Sequence, residues 1–352
     1  MNNPFVFGSV VKGNQFCNRQ KEIAEISRIC KSNNNLILVS PRRYGKTSLI
    51  VNALEQIKLQ YVLVDCYRLD SKEDFVNRLI TNYLFSLKQG NIIDKVKYLS
   101  KILDIEVEFK AKIVNVKIKK FDYSSLETLI VEISKDRLIV FDEFQAVFEL
   151  DKTLVSRLRG ILQHINKTHI FLGSKKHLLL YLFEDQNSPF YKFGIIMPVN
   201  KIDETDWRRF IKNWFKKTKS TINDEDLSTL LEYSNNIPFY VQYLAYYFWD
   251  GINSGKDSNI IINDVLESNK YIYDDAFSKF NANQRKALIV LASENTNIFG
   301  HSILEKYKIK NAQILNKSLN ALLEKGIIEK NGHYFFVDPL FERFIKNLDK
   351  SL

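Results

Sequence analysis

Short apolar runs alternate with stretches of helical period through the first two hundred residues, the rhythm of strand–helix–strand units around a mostly parallel sheet. Five runs read as strands: Leu36 to Val39, Tyr61 to Val64 ending at Asp65, Leu138 to Phe141 ending at Asp142, His169 to Leu172 ending at Gly173-Ser174, and Ile195 to Met197 ending at Pro198. Each stops at a polar or turn residue, the edge where open α/β sheets bind ligands. Between the second and third runs the period falls to two. Ile105, Val107 and Phe109 alternate with Glu106 and Glu108, and Val114, Val116 and Ile118 with Asn115, Lys117 and Lys119, which predicts a hairpin. Pairing Val107 with Val116 sets Glu106 opposite Lys117 and Asp104 opposite Lys119. This segment, about 104–119, reads as an insertion with no function of its own.

After Pro198 the strand signals stop. Trp207, Phe210, Ile211, Trp214 and Phe215 recur at the spacing of one helix face, with Arg208, Arg209, Lys212, Lys216 and Lys217 on the other,. Helical patterns continue over Asp224 to Tyr233 and Phe239 to Trp249, the latter an aromatic helix that belongs in a core. The last seventy or so residues change again: helices over Asn283 to Ala292, Ser302 to Tyr307 and Asn311 to Lys325, then Ile327 to Lys330, Asn331-Gly332 and His333 to Val337. Asn-Gly predicts a two-residue type I′ hairpin turn, and three helices followed by a hairpin make a winged helix. Asp338-Pro339 supplies an N-cap and an N1 proline for a closing helix,. The expected domains are 1–205, 206–280 and 281–352.

Composition narrows the classes. A chain of 352 residues with 45% hydrophobic and 26% charged side chains has material for two or three cores and lacks the signature of disorder,. Fifty-one basic against forty-one acidic residues give a net charge of +10, which favours polyanions. The lysines are spread along the whole chain, however, so the charge alone marks no patch. Cys17, Cys30 and Cys66 show no CxxC spacing and read as inert thiols of a reducing compartment. No apolar run reaches the roughly 18 residues of a membrane span, and the opening Met1-Asn2-Asn3-Pro4 has no signal-peptide core,; the expectation is cytoplasmic, with no membrane partner. The histidines at 164, 169, 177, 301 and 333 lack metal-ligand spacing, so no structural metal is expected.

The chemistry sits at the strand ends. Ser40-Pro41-Arg42-Arg43-Tyr44-Gly45-Lys46-Thr47 follows the first strand and opens a helix, the context a P-loop requires. Its backbone N–H groups would cradle phosphates, Lys46 would reach the β and γ oxygens, and the Thr47 hydroxyl would ligate Mg²⁺. Ser40 stands where the pattern begins with glycine; a left-handed conformation there would cost about 1 kcal/mol or more. Downstream, Leu138 to Phe141 ends in Asp142-Glu143, a Walker B arrangement in which Asp142 serves Mg²⁺ and Glu143 polarises the attacking water. Ser174 would lie between the two motifs if the fourth strand is central; it is either a sensor of the γ-phosphate or water, or a plain Gly-Ser turn residue. Lys46, Glu143 and Ser174 are the catalytic candidates.

The PRRxGKTSL form of the loop (Pro41 to Leu49), the strand ending in Asp142-Glu143-Phe144, the run Gly173-Ser174-Lys175-Lys176-His177 and Asp338-Pro339 resemble the archaeal-type ATPases, relatives of AAA+ and STAND NTPases. The resemblance covers nearly the whole chain. Phe16 to Glu22 is similar to the family's FxxRxxE element near the adenine, and Asn235-Asn236-Ile237-Pro238 to the GGxP motif of its lid, although Asn18, Gln20, Asn235 and Asn236 depart from the usual residues. It implies an α/β P-loop domain with a five-stranded parallel core sheet, a helical lid and a C-terminal winged helix. It also implies ATP with Mg²⁺ as ligands, held by Arg19, Ser40, Arg42, Arg43, Tyr44, Gly45, Lys46, Thr47, Ser48 and Pro238, with Thr47 and Asp142 on the metal. A guanine-specific NKxD motif is missing. Arg157 and Arg159 precede the fourth strand but read equally as surface charges, and no arginine finger is assigned.

Three functions follow as expectations. The first is a slow or partner-stimulated ATPase working as a nucleotide-driven switch on a protein or DNA partner. The second is a DNA-associated loader or regulator of AAA+ type that binds DNA through the winged helix, self-association remaining open. The third, a DNA-binding module with a purely structural nucleotide site, is opposed by Glu143. In the third helix of the winged helix, Ala312, Leu315, Leu319, Leu322 and Leu323 are expected to be buried, leaving Gln313, Asn316, Lys317 and Asn320 outward with side chains that can read base edges or phosphate.

Overall fold

The computed structural model describes residues 2–87, 92–110, 113–174, 176–294 and 297–350. Lys175, within the Gly173 to His177 run, and residues 111–112 lie outside the described residues. The chain divides into two compact units, Lys12–Asn200 and Met1–Val11 with Lys201–Leu352.

The first unit opens with helix α1 (Gln20–Lys31), strand β1 (Leu36–Val39), helix α2 (Lys46–Gln56) and strand β2 (Tyr61–Asp65). Helices α3 (Lys72–Ser86) and α4 (Ile92–Ile102) lead to β3 (Ile105–Lys110) and β4 (Ile113–Ile118). Then come α5 (Tyr123–Ser134), β5 (Leu138–Asp142), α6 (Gln145–Leu150), α7 (Lys152–Leu162), β6 (His169–Gly173), α8 (Lys176–Glu184) and β7 (Ile195–Pro198). Five strands form one parallel sheet in the order β2-β5-β6-β1-β7, and all five were legible as apolar runs. They read as unbroken runs because both faces are covered. Ile37, Val39, Ile139, Phe141 and Phe171 face one core, while Leu36, Leu38, Val140, Ile170 and Leu172 face the other with Ile26, Ile29, Leu49 and Ile50 of α1 and α2. On the first side Phe141, Phe144, Phe171, Phe183 and Phe190 pack ring against ring, with centroid separations of 4.8–6.3 Å.

The hairpin has the expected register, Val107 opposite Val116 and Glu106 opposite Lys117. It forms a separate two-stranded sheet, yet Ile105, Val116 and Ile118 are buried and join the aromatic-side core. Ile105, Val116 and Ile118 therefore anchor the hairpin to that core.

The second unit contains α9 (Glu204–Lys217), α10 (Asp224–Ser234), α11 (Pro238–Asn253) and α12 (Ser258–Ser278). In α9, Trp207, Ile211 and Phe215 are buried and Phe210 and Trp214 half-buried. The aromatic helix α11 is a core element, burying Tyr240, Val241, Leu244, Ala245 and Phe248. The N-terminal residues belong here: Phe5 lies 5.8 Å from the Phe215 ring, Phe7 4.9 Å from Tyr243, and Asn3 donates to the Tyr246 carbonyl at 2.9 Å.

The winged helix follows as α13 (Ala282–Ser293), α14 (His301–Lys306), α15 (Ala312–Glu324), β8 (Ile328–Asn331), β9 (His333–Phe336) and α16 (Pro339–Lys350). Asn281 and Gln284 form a reciprocal capping box at the start of α13,, and Asp338 caps α16 by accepting from the Leu340 and Phe341 N–H groups. Two local expectations are corrected. The buried face of α15 is Leu315, Ser318, Leu319 and Leu322, whereas Ala312 is exposed and Leu323 half-buried; the Ser318 hydroxyl can be buried because it donates to the Ile314 carbonyl at 2.9 Å,. The hairpin turn is not the two-residue type I′: Asn331 pairs with His333 as part of β8, and Gly332 alone takes positive φ, at 74°.

Candidate active site

Because β6 lies between β1 and β5, the ends of these three strands bring together the phosphate loop, Ser174 and Asp142-Glu143. Residues far apart in sequence meet there. The Thr47 hydroxyl donates to Asp142 Oδ2 at 2.6 Å across 95 positions.

The loop turns through left-handed residues at Arg43, φ 69°, and Gly45, φ 81°, and Gly45 then opens α2. Ser40, in the place of the pattern's first glycine, does not adopt positive φ, so its substitution carries no left-handed strain; Arg43 bears that conformation at about 1–2 kcal/mol. Buried Lys46 donates through Nζ to the Ser40 and Pro41 carbonyls at 3.1 Å and to Ser40 Oγ at 3.3 Å. Ser48 lies in the first turn of α2, its carbonyl accepting from Asn52 at 2.7 Å. Tyr44 is buried, and its carbonyl accepts from Arg19 Nη2 at 3.2 Å. Arg19 also pairs with Glu22 at 2.8 Å, one helical turn on. The arginine and glutamate of the N-terminal element thus brace the loop. Arg42 donates Nε–H to Ser174 Oγ at 3.3 Å and has its guanidinium carbon 5.9 Å from the centre of the Tyr67 ring.

Asp142 ends β5 beside Asp65 at the end of β2, and its Oδ1 accepts the Glu143 N–H at 2.9 Å. Burial pushes its carboxyl above the ordinary aspartate range; the Thr47 hydrogen bond lowers it, the Glu143 and Asp65 charges raise it, and Lys46 opposes them. Glu143 has φ 52°, an unusual conformation for a residue with a side chain. Its Oε2 accepts from Ser174 Oγ at 2.7 Å and from Gln145 Nε2. With β6 between β1 and β5, Ser174 lies between the two motifs and touches the Glu143 carboxylate and Arg42. Pro238 begins α11 in the other unit. Arg157 and Arg159 lie over the rings of Tyr123 and Phe193, at 5.3 and 4.1 Å.

The donor set suits Mg²⁺, a hard ion that prefers oxygen and keeps waters and substrate phosphates among its ligands. A hydroxyl and a carboxylate oxygen stand 2.6 Å apart at a strand end with three acidic residues, Asp65, Asp142 and Glu143. Among the described residues no group of three or more His, Cys, Asp or Glu could hold a metal; an ion held by Thr47 and Asp142 would draw further ligands from phosphate and water.

The sequence reading missed Gln145, two residues beyond Glu143, and Asp65 as part of the acidic cluster. The polar end of the second strand was the signal for Asp65. For Gln145 there was only its adjacency to the acidic pair.

The model of an ATPase domain family predominantly from Archaea matches residues 16–244. The chain belongs to this family. A winged helix domain model matches residues 271–347. The archaeal ATPase fold is similar to that of a Walker-type ATPase of Pyrococcus abyssi, at TM-score 0.69 and 18% identity, over 97% of this chain and 99% of that one. It is also similar to the Aeropyrum pernix ORC2 protein, solved in ADPNP–ADP complexes, at TM-score 0.57 and 12% identity over 99% and 98% of the chains. The Aeropyrum pernix ORC1 protein, solved in complex with DNA, gives 0.53 and 10% over 97% and 96%. At these identities the likeness is one of fold. No curated protein matches the sequence.

Proposed function

We propose that this archaeal-type ATPase binds ATP with Mg²⁺ and hydrolyses it slowly or on stimulation, as a nucleotide-driven switch for a protein or DNA partner. The observation that carries the reading is the 2.6 Å hydrogen bond from Thr47 to Asp142, with Glu143 next in sequence, because it joins the phosphate-binding and water-activating motifs at one point. Lys46 would exchange the loop carbonyls for β and γ oxygens, and the N–H groups of the loop and α2 would cradle the phosphates. Thr47 and Asp142 would hold Mg²⁺, which when bound neutralises phosphate charge. Glu143 would accept the proton of the attacking water. Arg42 and Ser174 adjoin the loop and could exchange their mutual contact for the γ-phosphate. We read Arg19 as an adenine-side position, α9 to α12 as the lid, and residues 281–352 as the winged helix. Three buried cysteines without a disulfide favour a reducing compartment, which the cytoplasm provides; no helix among the described residues is long and apolar enough to cross a membrane.

The test is phosphate release and nucleotide binding by the full chain. Release that requires Mg²⁺ and is lost in Lys46→Ala supports the reading. Wild-type protein that binds no ATP at millimolar nucleotide with Mg²⁺ contradicts it.

A second reading, DNA binding through α15, is favoured by one observation: Gln313, Asn316, Lys317 and Asn320 are all exposed and make no side-chain hydrogen bond to the described residues. Amides and an ammonium on one open helix face can reach base edges and phosphates, and the similar ORC1 protein was solved with DNA. Titration with duplex DNA across salt concentrations, with the Asn316→Ala, Lys317→Glu double variant alongside, tests it. No wild-type binding at low salt sinks this reading and leaves the switch standing.

A further inference from the structure

Gln145 opens α6 directly after the acidic pair and is only 3% exposed. Its Nε2 donates to Glu143 Oε2, while its Oε1 is buried with no hydrogen-bond partner among the described residues. Leaving a buried amide oxygen unsatisfied costs stability, so the position holds a polar side chain at a penalty that leucine would avoid.

The fold also makes room for it. A Cβ built on Gly173 would lie 2.5 Å from Gln145 Oε1 and 3.1 Å from the Leu179 methyls, so an alanine there would push the amide from its place. The missing side chain at the end of β6 and the amide at the start of α6 form one fitted pair.

The hydrogen bonds on Glu143 are one-sided. Ser174 Oγ at 2.7 Å, Ser174 N–H at 3.4 Å and Gln145 Nε2 all donate to Oε2, and Oε1 accepts none from the described residues. A carboxylate so held has one oxygen committed to the protein and the other available to a water. The left-handed backbone of Glu143 needs such external ties, because conformations of this kind persist only where the surroundings over-determine them.

We propose that Gln145, seated against Gly173, is a positioning residue that fixes Glu143 through Oε2 and so leaves Oε1 to take the proton of the attacking water. The inference rests on the reading of Glu143 as the water-activating carboxylate. Gln145 itself touches neither phosphate nor water; it acts on the rotamer of Glu143. Misplacing a catalytic group by about 1 Å can lower a rate on the order of 100-fold. A role confined to packing would instead change stability and leave turnover per folded molecule as it was.

The experiment compares Gln145→Leu, Gly173→Ala and Glu143→Gln in the full chain. It measures single-turnover hydrolysis at saturating ATP and Mg²⁺, ATP affinity, and melting temperature. Gln145→Leu should lower the hydrolysis rate about 10–100-fold with affinity within about threefold of wild type. Gly173→Ala, which keeps every polar group and crowds the amide most, with a smaller displacement of Leu179, should lower it in the same direction. Adding Gln145→Leu to Glu143→Gln should cause no further loss, since the residue acts only through that carboxylate. If Glu143→Gln loses hydrolysis while folded Gln145→Leu and Gly173→Ala keep the wild-type rate, the positioning role is overturned and the base assignment survives. If Glu143→Gln hydrolyses ATP like wild type, both fall together. Should Gln145→Leu fail to fold, the Gly173→Ala rate decides by itself.

Discussion

The polar side chains at the ends of β1, β5 and β6 are bonded to one another, whereas those along the outer face of α15 make no side-chain hydrogen bond to the described residues. In the first region Thr47 meets Asp142, Ser174 and Gln145 meet Glu143, and Arg42 meets Ser174. In the second, Gln313, Asn316, Lys317 and Asn320 stand in solvent above a buried face of Leu315, Leu319 and Leu322. The difference fits the proposed roles. Groups that stabilise a transition state have to be in place beforehand, and the strand-end groups are held by neighbours. On the proposed DNA reading, the outward groups of α15 would take their hydrogen bonds from the partner. Substitutions in the first region should therefore act on rate and be coupled; those on the outer face of α15 should be near-neutral for the fold.

The largest expected effect is at Lys46. Lys46→Ala should reduce nucleotide turnover by about 10²–10³-fold or more, checked by phosphate release, with a folded protein by circular dichroism. Beneath the open face of α15 the expectation reverses: Leu319 is fully buried, and Leu319→Ala should destabilise the winged helix by about 2–5 kcal/mol in chemical denaturation.

Next comes an acid sensitivity that neither region shares. His169 is fully buried in β6, neither ring nitrogen has a hydrogen-bond partner among the described residues, and burial, aided by the Lys167 charge, lowers its pKa from 6.5 to about 4. Between those values the unfolded chain binds a proton that the folded protein refuses. Stability should therefore rise with pH across that window and be lost on acidification, by about 3 kcal/mol in all. Denaturation midpoints in His169→Leu should lack that part of the pH dependence.

Smaller still is the cap of α13, where Asn281→Ala should cost about 1 kcal/mol, read as a lowered denaturant midpoint for the winged helix. Last, Asn316→Ala and Lys317→Ala should each shift stability by no more than about 0.5 kcal/mol. A larger shift at either position would show that the face is not open and would remove the contrast.

The sheet was readable because β1, β5 and β6 are buried on both faces and so write unbroken apolar runs between turn residues, and the edge strands β2 and β7, only partly buried, remain apolar. The nucleotide motifs were readable because Gly45-Lys46-Thr47 follows such a run directly, and the hairpin register because its charges alternate in matched pairs. Other features lie below the reach of periodicity. Phe5 and Phe7 find ring partners more than two hundred positions away, and nothing local marks that. Ser318 is buried through a hydrogen bond to its own helix, which an apolar count cannot anticipate. The Asn331-Gly332 pair has the composition of a type I′ turn, but the strand pairing continues to Asn331 and leaves only Gly332 to turn. Gln145 depends on an absent side chain at Gly173, a contact that exists only after β6 and α6 have met.

The most direct measurement of the central claim is ATP binding and hydrolysis by Glu143→Gln beside wild type, at saturating Mg²⁺. The substitution removes a proton acceptor while leaving Lys46, Thr47 and Asp142 intact, so binding and chemistry should separate. The account predicts ATP affinity within about threefold of wild type and a hydrolysis rate lower by about 10²-fold or more, since removing a general base of this kind costs about 10²–10⁴. Hydrolysis at the wild-type rate would contradict it.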